Sequence, residues 1–301
     1  MLRNVIRAPM NQLLDGRYKL TIRSGNWCQE EYYYGFDEET REQCFVKGRL
    51  ADDPRIEVER HFLAEFGGST GIPKFIGTFQ LFDGEQTYIV HTRNGQKLET
   101  VLNESVFKIS PANTVRLGYR LFNLIHGMHQ RGYVHRDIRP QTIMVDVGWD
   151  LKLEIELSSF GFVAPTNPAP RPPADPYNSM KINQYTSYPA MIGEPFVPED
   201  DYISVIFVLL ASQGVNPFSH NINRQWTLVE KKEHFDDNPR RFVTPESRWL
   251  ADLYWNIEYM RQERTFSHDV VIGRLENAVE GVDMRDEITH ALRPNGHFYI
   301  L

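Results

Sequence analysis

Cysteine is nearly missing: the 301 residues hold only Cys28 and Cys44. Two thiols cannot build the multi-bridge framework that small secreted domains rely on, so an intracellular, reducing setting is expected, cytoplasm and nucleus alike. The strands that flank them are out of register if the chain turns near 37–40, so neither a disulfide nor a metal pair is read there. The histidines show no cluster with zinc-ligand spacing. Long apolar runs are lacking as well. The longest strong one, 205–211, falls far short of the ~20 residues that span a bilayer. Residues 1–16 carry no sustained apolar stretch of the kind a signal peptide needs. Basic charge is in deficit, with 33 Lys and Arg against 40 Asp and Glu and a net charge of −7. That balance argues against nucleic acid or a membrane surface as partner and leaves other proteins as the expected ones. No internal repeat is present.

What the chain does have is a clear change of periodicity. Residues 17–25, 29–36 and 43–50 are rich in Tyr and β-branched residues around a polar break at 37–40, which predicts a three-stranded antiparallel meander. Ile56, Phe62, Leu63 and Phe66 lie at helical spacing, and Gly67-Gly68 stops that stripe. Strands are predicted at 74–81 and 87–92. Beyond Asn94-Gly95 the pattern turns helical, with helices over 113–130, 199–212, 248–262 and 268–279 and a short hairpin over 143–157. Six prolines in 165–176 exclude helix or central strand there. That stretch reads as a rigid connector. The alternative is a ligand for an SH3 or WW domain built on Arg171, although its spacing fits neither common SH3 arrangement. Lys231-Lys232 and Arg240-Arg241 read as solvated helix edge rather than as a basic patch. The last twenty or so residues carry weak signal and read as a tail. Strands first and helices after is an α+β order, fitting a small sheet lobe and a larger helical lobe with a cleft between them. A hydrophobic content of 41% suffices for large cores.

The stretch between the two regions, His135-Arg136-Asp137-Ile138-Arg139-Pro140-Gln141-Thr142, resembles the catalytic loop of protein kinases. Other segments match in order: Cys44-Phe45-Val46-Lys47 at the lysine strand, Glu59 on the first helix, Gly71-Ile72-Pro73 after it, and Ser159-Phe160-Gly161 where kinases carry Asp-Phe-Gly. Tyr185-Thr186-Ser187-Tyr188-Pro189-Ala190 and Asp200-Asp201 continue the series. Together they are similar to the casein kinase 1 family, closest to its tau-tubulin kinase branch.

The resemblance implies a bilobal protein kinase-like domain over 17–279, with an N-lobe about 17–93, a C-lobe about 94–279 and a tail at 280–301. It implies that Asp137 is the base position, that Lys47 pairs with Glu59, and that Ile22, Gly25, Glu30 and Lys47 line the ATP site. Asp201 would hold the backbone of the loop, and His135, Phe160 and Leu63 would belong to the apolar column joining the lobes. Against that frame the metal positions are changed, because Thr142 and Ser159 stand where the family carries Asn and Asp. Magnesium needs hard, preferably charged, oxygen ligands. Losing one preorganised electrostatic group costs roughly 10²–10³ in rate, and two cost on the order of 10⁴–10⁶. The glycine-rich loop keeps one glycine of three, Gly25, which impairs close approach to phosphate. Glu30 sets a charge where an apolar residue covers the adenine, and Phe45 sets a ring where a small Ala belongs. The expectation is a pseudokinase: no cofactor, a vestigial Asp137, and a protein-binding or signalling scaffold. The Lys47–Glu59 pair is read as a structural ion pair of roughly 0–1 kcal/mol if exposed. The alternative is an active ATP- and magnesium-dependent Ser/Thr protein kinase with atypical metal use.

Overall fold

The computed structural model describes residues 7–27, 30–92, 95–104, 108–148, 150–166, 182–219, 225–293 and 298–301. The chain divides into two compact units, Met1–Gly95 with Glu156–Val163, and Gln96–Ile155 with Ala164–Leu301.

The first unit is built on one antiparallel sheet. Its strands are β1 (Leu13–Leu14), β2 (Tyr18–Trp27), β3 (Glu30–Asp37), β4 (Glu42–Leu50), β5 (Phe75–Leu81) and β6 (Gln86–Thr92), in the order β1-β2-β3-β4-β6-β5. Side chains alternate between the two faces of a strand. One face carries an apolar cluster: Leu20, Tyr33, Cys44, Val46, Tyr88 and Val90 pack together with Ala8 and Leu14 from the chain before β2. The other face carries the partners one step away in register, with Tyr32 opposite Lys47 and Phe45 between Tyr34 and His91. Helix α1 (Pro54–Phe66) starts cleanly because Asp53 accepts from the Arg55 amide and Pro54 occupies the first turn.

The second unit is mainly helical. It comprises β7 (Gln96–Lys97), α2 (Leu98–Glu104), α3 (Pro111–Gln130), β8 (Tyr133–Val134), β9 (Ile143–Val147), β10 (Leu153–Leu157, whose end belongs to the first unit), β11 (Ala164–Pro165), α4 (Tyr188–Ile192), α5 (Pro198–Ser212), α6 (Leu228–Asp237), α7 (Arg248–Gln262), α8 (His268–Glu276), β12 (His290–Leu292) and β13 (Phe298–Ile300). Helix α5 is the centre of this core: Tyr202, Ile203, Val205, Ile206, Val208 and Leu209 are all fully buried. A helix apolar on every side must be surrounded, and α3 and α7 flank it. Among the described residues no helix is long and apolar enough to cross a membrane.

Two readings of the sequence need correction here. The last residues are not a tail of weak structure. Strands β12 and β13 pair, with Ala291 opposite Tyr299. The Leu301 carbonyl accepts from Asn113 Nδ2 at 2.6 Å and from Ser110 Oγ at 3.0 Å. These contacts lie almost two hundred positions apart in sequence, beyond any local pattern. Lys231 and Lys232 are not on a solvated helix edge either. Both are buried, donating to the carbonyls of Ser219 (3.0 Å) and Gln184 (2.7 Å). The Lys232 ammonium also sits 3.3 Å from the ring centre of Phe207 and 3.9 Å from that of Phe218. Arg240 pairs with Asp252 at 2.5 Å. Most of the proline-rich stretch, Arg171 included, and Cys28 lie outside the described residues, while Cys44 is a buried free thiol.

Candidate functional site

In the sheet unit, β4 and α1 bring Lys47 and Glu59 together. Lys47 Nζ donates to Glu59 Oε2 at 2.9 Å and Oε1 at 3.2 Å. Neither side chain is exposed, at 3% and 1%, so the small worth of an exposed pair does not apply. A buried pair is weakly net stabilising, but it is costly to break from one side, roughly 3–5 kcal/mol. Glu59 also accepts from the Phe160 backbone N–H at 3.2 Å. The ring of Phe160 stacks on Phe62 of α1 at 4.8 Å.

Glu30 joins these charges. Its carboxylate pairs with Arg49, lies 3.6 Å from Lys47 Nζ and accepts from the Tyr32 hydroxyl. Arg55 is 4.0 Å away. The register explains the geometry. Glu31 faces Gly48, so Glu30 lies across from Arg49, and opposite charges on paired strands attract. Burial alone would raise the pKa of Glu30, but the cations of Arg49 and Lys47 hold it at about 2, well below 4.5. Glu59 is likewise held low by Lys47 and Arg49 against its burial. Three cations, Lys47, Arg49 and Arg55, thus meet three carboxylates, Glu30, Asp53 and Glu59, out of water.

Arg49 was missed from the sequence. It is 2% exposed, pairs with Glu30 and lies 3.6 Å from Glu59 and 3.8 Å from Asp53. The available signal was its spacing, two residues past Lys47 on the same strand face. Its guanidinium also explains Gly161. A Cβ there would lie 2.8 Å from Arg49 Nη1 and 3.0 Å from Arg55 Cβ. Ser159, two residues before it, has φ +66°, a left-handed backbone that a non-glycine residue adopts at a cost.

Phe45 is 9% exposed and packed among rings: Tyr34 edge-on at 5.3 Å, His91 at 5.2 Å and Tyr32 at 5.8 Å. Ile22 is 60% exposed, and Gly25 faces Tyr32 across the sheet. Glu30 and Lys47 are buried together, and Ile22 points to solvent.

In the helical unit, the loop between β8 and β9 is fixed by one carboxylate. Asp201 of α5 accepts from the backbone N–H of His135 at 2.8 Å and of Arg136 at 2.9 Å, and bonds His129 Nε2 at 2.9 Å. These bonds hold Arg136 at φ +67°. Burial would raise the pKa of Asp201, but His129 and the loop amide outweigh it and hold it below the ordinary value, so it stays ionised. The Arg136 guanidinium is desolvated, which pulls its pKa down to about 10. Asp137 is 6% exposed, and Arg139 Nε donates to its carboxylate at 2.8 Å. Thr142 is 1% exposed. Its hydroxyl donates to the Asp137 carbonyl at 2.6 Å and accepts from the Arg139 amide at 3.2 Å. That hydroxyl closes the loop on itself.

A carboxylate already sits at the lysine that would receive phosphate, and the hydroxyl at one expected metal position is committed to backbone.

No known family profile matches the chain. Among solved structures, that of vaccinia related kinase 3 is similar, with 18% identity, a TM-score of 0.70, and coverage of 93% of this chain and 94% of that one. Identity at that level speaks for the fold, and the antiparallel sheet followed by helices agrees with it: the chain is an α+β, bilobal protein kinase-like domain.

Proposed function

We propose that this protein kinase-like domain is a pseudokinase of the casein kinase 1 type, akin to the tau-tubulin kinase branch, that acts inside the cell as a protein-binding scaffold. One observation carries the reading. Glu30 places a carboxylate 3.6 Å from Lys47, where a phosphate would otherwise neutralise the lysine. Phosphoryl transfer relies on positioning and on charge neutralisation by metal and lysine. A lysine neutralised by its own chain offers a triphosphate little attraction. The inward Thr142 hydroxyl and the Arg139–Asp137 pair point the same way. Phe45, enclosed by three rings, leaves little room for a base against that sheet face.

A second reading keeps one observation on its side. The Lys47–Glu59 pair is intact at 2.9 Å, as an active Ser/Thr protein kinase with unorthodox metal use would require. Titrating purified protein with ATP, with magnesium, manganese or EDTA present, separates the two. The scaffold reading expects no thermal shift and no transfer to casein. Metal-dependent transfer abolished by Asp137→Asn would overturn it.

A further inference from the structure

One guanidinium in the helical unit serves several carboxylates. Arg261 of α7 donates through Nη1 to Asp200 Oδ1 at 3.0 Å and through Nη2 to Glu194 Oε2 at 3.4 Å. Glu258, one turn earlier on α7, lies 3.8 Å from the same Nη1. Asp236 of α6 adds its charge and accepts from Tyr254 at 2.6 Å. Asp201 and Glu199 of α5 add further negative field at Asp200 and at Arg261. Glu194 is 56% exposed, so water screens it. Asp200, Glu258 and Asp236 are not screened in that way, and one positive charge cannot balance all three.

Which of them carries the proton follows from their donors. Asp200 receives three: the Ser187 hydroxyl at 2.5 Å, the Val197 amide at 2.8 Å and Arg261. Burial lifts it to about 6, and those donors keep it ionised at neutral pH. Asp236 has the Tyr254 hydroxyl. Glu258 is 6% exposed, and its Oε1 has no hydrogen-bond partner among the described residues. An unpartnered buried carboxylate oxygen is costly as an anion and much less so as an acid.

We propose that Glu258 is protonated in the folded protein near neutral pH and acts as a latch, whose ionisation pushes α7 from Asp200 and loosens the α4 segment that Asp200 holds through Ser187. Ser187 is the N-cap of α4, donating to Asp200 while accepting from the Ala190 amide, so strain at Asp200 reaches the start of that helix directly. Burial lifts Glu258 to about 7 from an ordinary 4.5, with Arg261 opposing. The sign is that of a raised acid. As pH climbs from 4.5 to 7 the unfolded chain releases this proton and the folded chain keeps it, so stability falls; above 7 the contribution levels off.

The test uses the full chain. Carbon-13 NMR of glutamate carboxyls, assigned through bonds in the unmodified protein, should show Glu258 titrating near pH 7. Titration near 4.5 overturns the proposal, and that measurement needs no variant. Hydrogen exchange at 187–192, corrected for intrinsic base catalysis, should quicken about tenfold between pH 6 and 8, as a one-unit shift of the opening equilibrium gives. Glu258→Gln should remove that rise. A flat wild-type profile, or the same rise in the variant, refutes the latch.

Discussion

Replacing Glu30 with alanine tests the ion cluster most directly. The change removes one of three buried carboxylates and leaves Lys47, Arg49 and Arg55 facing Asp53 and Glu59, with Lys47 and Arg49 only 3% and 2% exposed. At 3.6 Å and an effective dielectric constant near 20, the Glu30–Lys47 attraction alone is about 4–5 kcal/mol before desolvation. Breaking a buried pair from one side costs roughly 3–5 kcal/mol, a large share of the ~5–15 kcal/mol that holds a typical domain together. Denaturant unfolding should therefore show a loss of about 4 kcal/mol, with a comparable loss for Glu30→Gln, which keeps the shape and removes the charge. If Glu30 stands where a phosphate would be drawn, the variant gains a ligand that the wild type refuses. Inorganic triphosphate at a hundredfold excess over its Kd should restore about 2.7 kcal/mol to the variant and nothing to the wild type. A cost below about 1 kcal/mol would refute the cluster. Equal stabilisation of both proteins by triphosphate would refute the stand-in. Because Glu30 is held at about 2, its contribution is present above pH 4.5 and lost as pH falls towards 2.

Two further outcomes are expected. Gly161→Ala places a Cβ 2.8 Å from the enclosed Arg49 guanidinium and should cost roughly 1–3 kcal/mol, so an unchanged melting temperature would contradict the packing. His268 stacks on His126 at 3.8 Å, and burial followed by His126 depresses it from 6.5 to about 4. The folded chain refuses a proton that the unfolded chain takes, so stability is greatest above pH 6.5 and is lost as pH falls to 4. The difference in stability between wild type and His268→Gln should shrink over that window, and a difference independent of pH would sink the idea.

Much of the fold was legible beforehand because the periodicities were strong. The strands over 17–50 and the helix through 56–66 lie where their periodicities put them, and the apolar run over 199–212 is α5, almost wholly buried. The candidate site was legible as positions and less so as geometry. Lys47 and Glu59 meet, and Asp201 holds the loop carrying Asp137. The pairing of Glu30 with Arg49 is set by the strand register, and the only trace of it in the sequence was the spacing of Arg49 from Lys47. Lys231 and Lys232 were read as solvated because lysine usually is; their carbonyl acceptors come from segments twelve and forty-eight residues away.

From the sequence alone came the order of strands and helices, the Lys47, Glu59 and Asp137 frame, and the expectation that Thr142 and Ser159 stand where the family carries its metal ligands. Tertiary structure alone decided that Glu30 faces the lysine, that Arg49 presses against Gly161, that the Thr142 hydroxyl turns inward, and that the chain's last strands dock beside Asn113. The division has a physical cause. Backbone periodicity is a local property and survives in the order of residues. The direction of a charged side chain depends on which opposite charge the strand register and packing bring near it, and those partners are set only when the chain has folded.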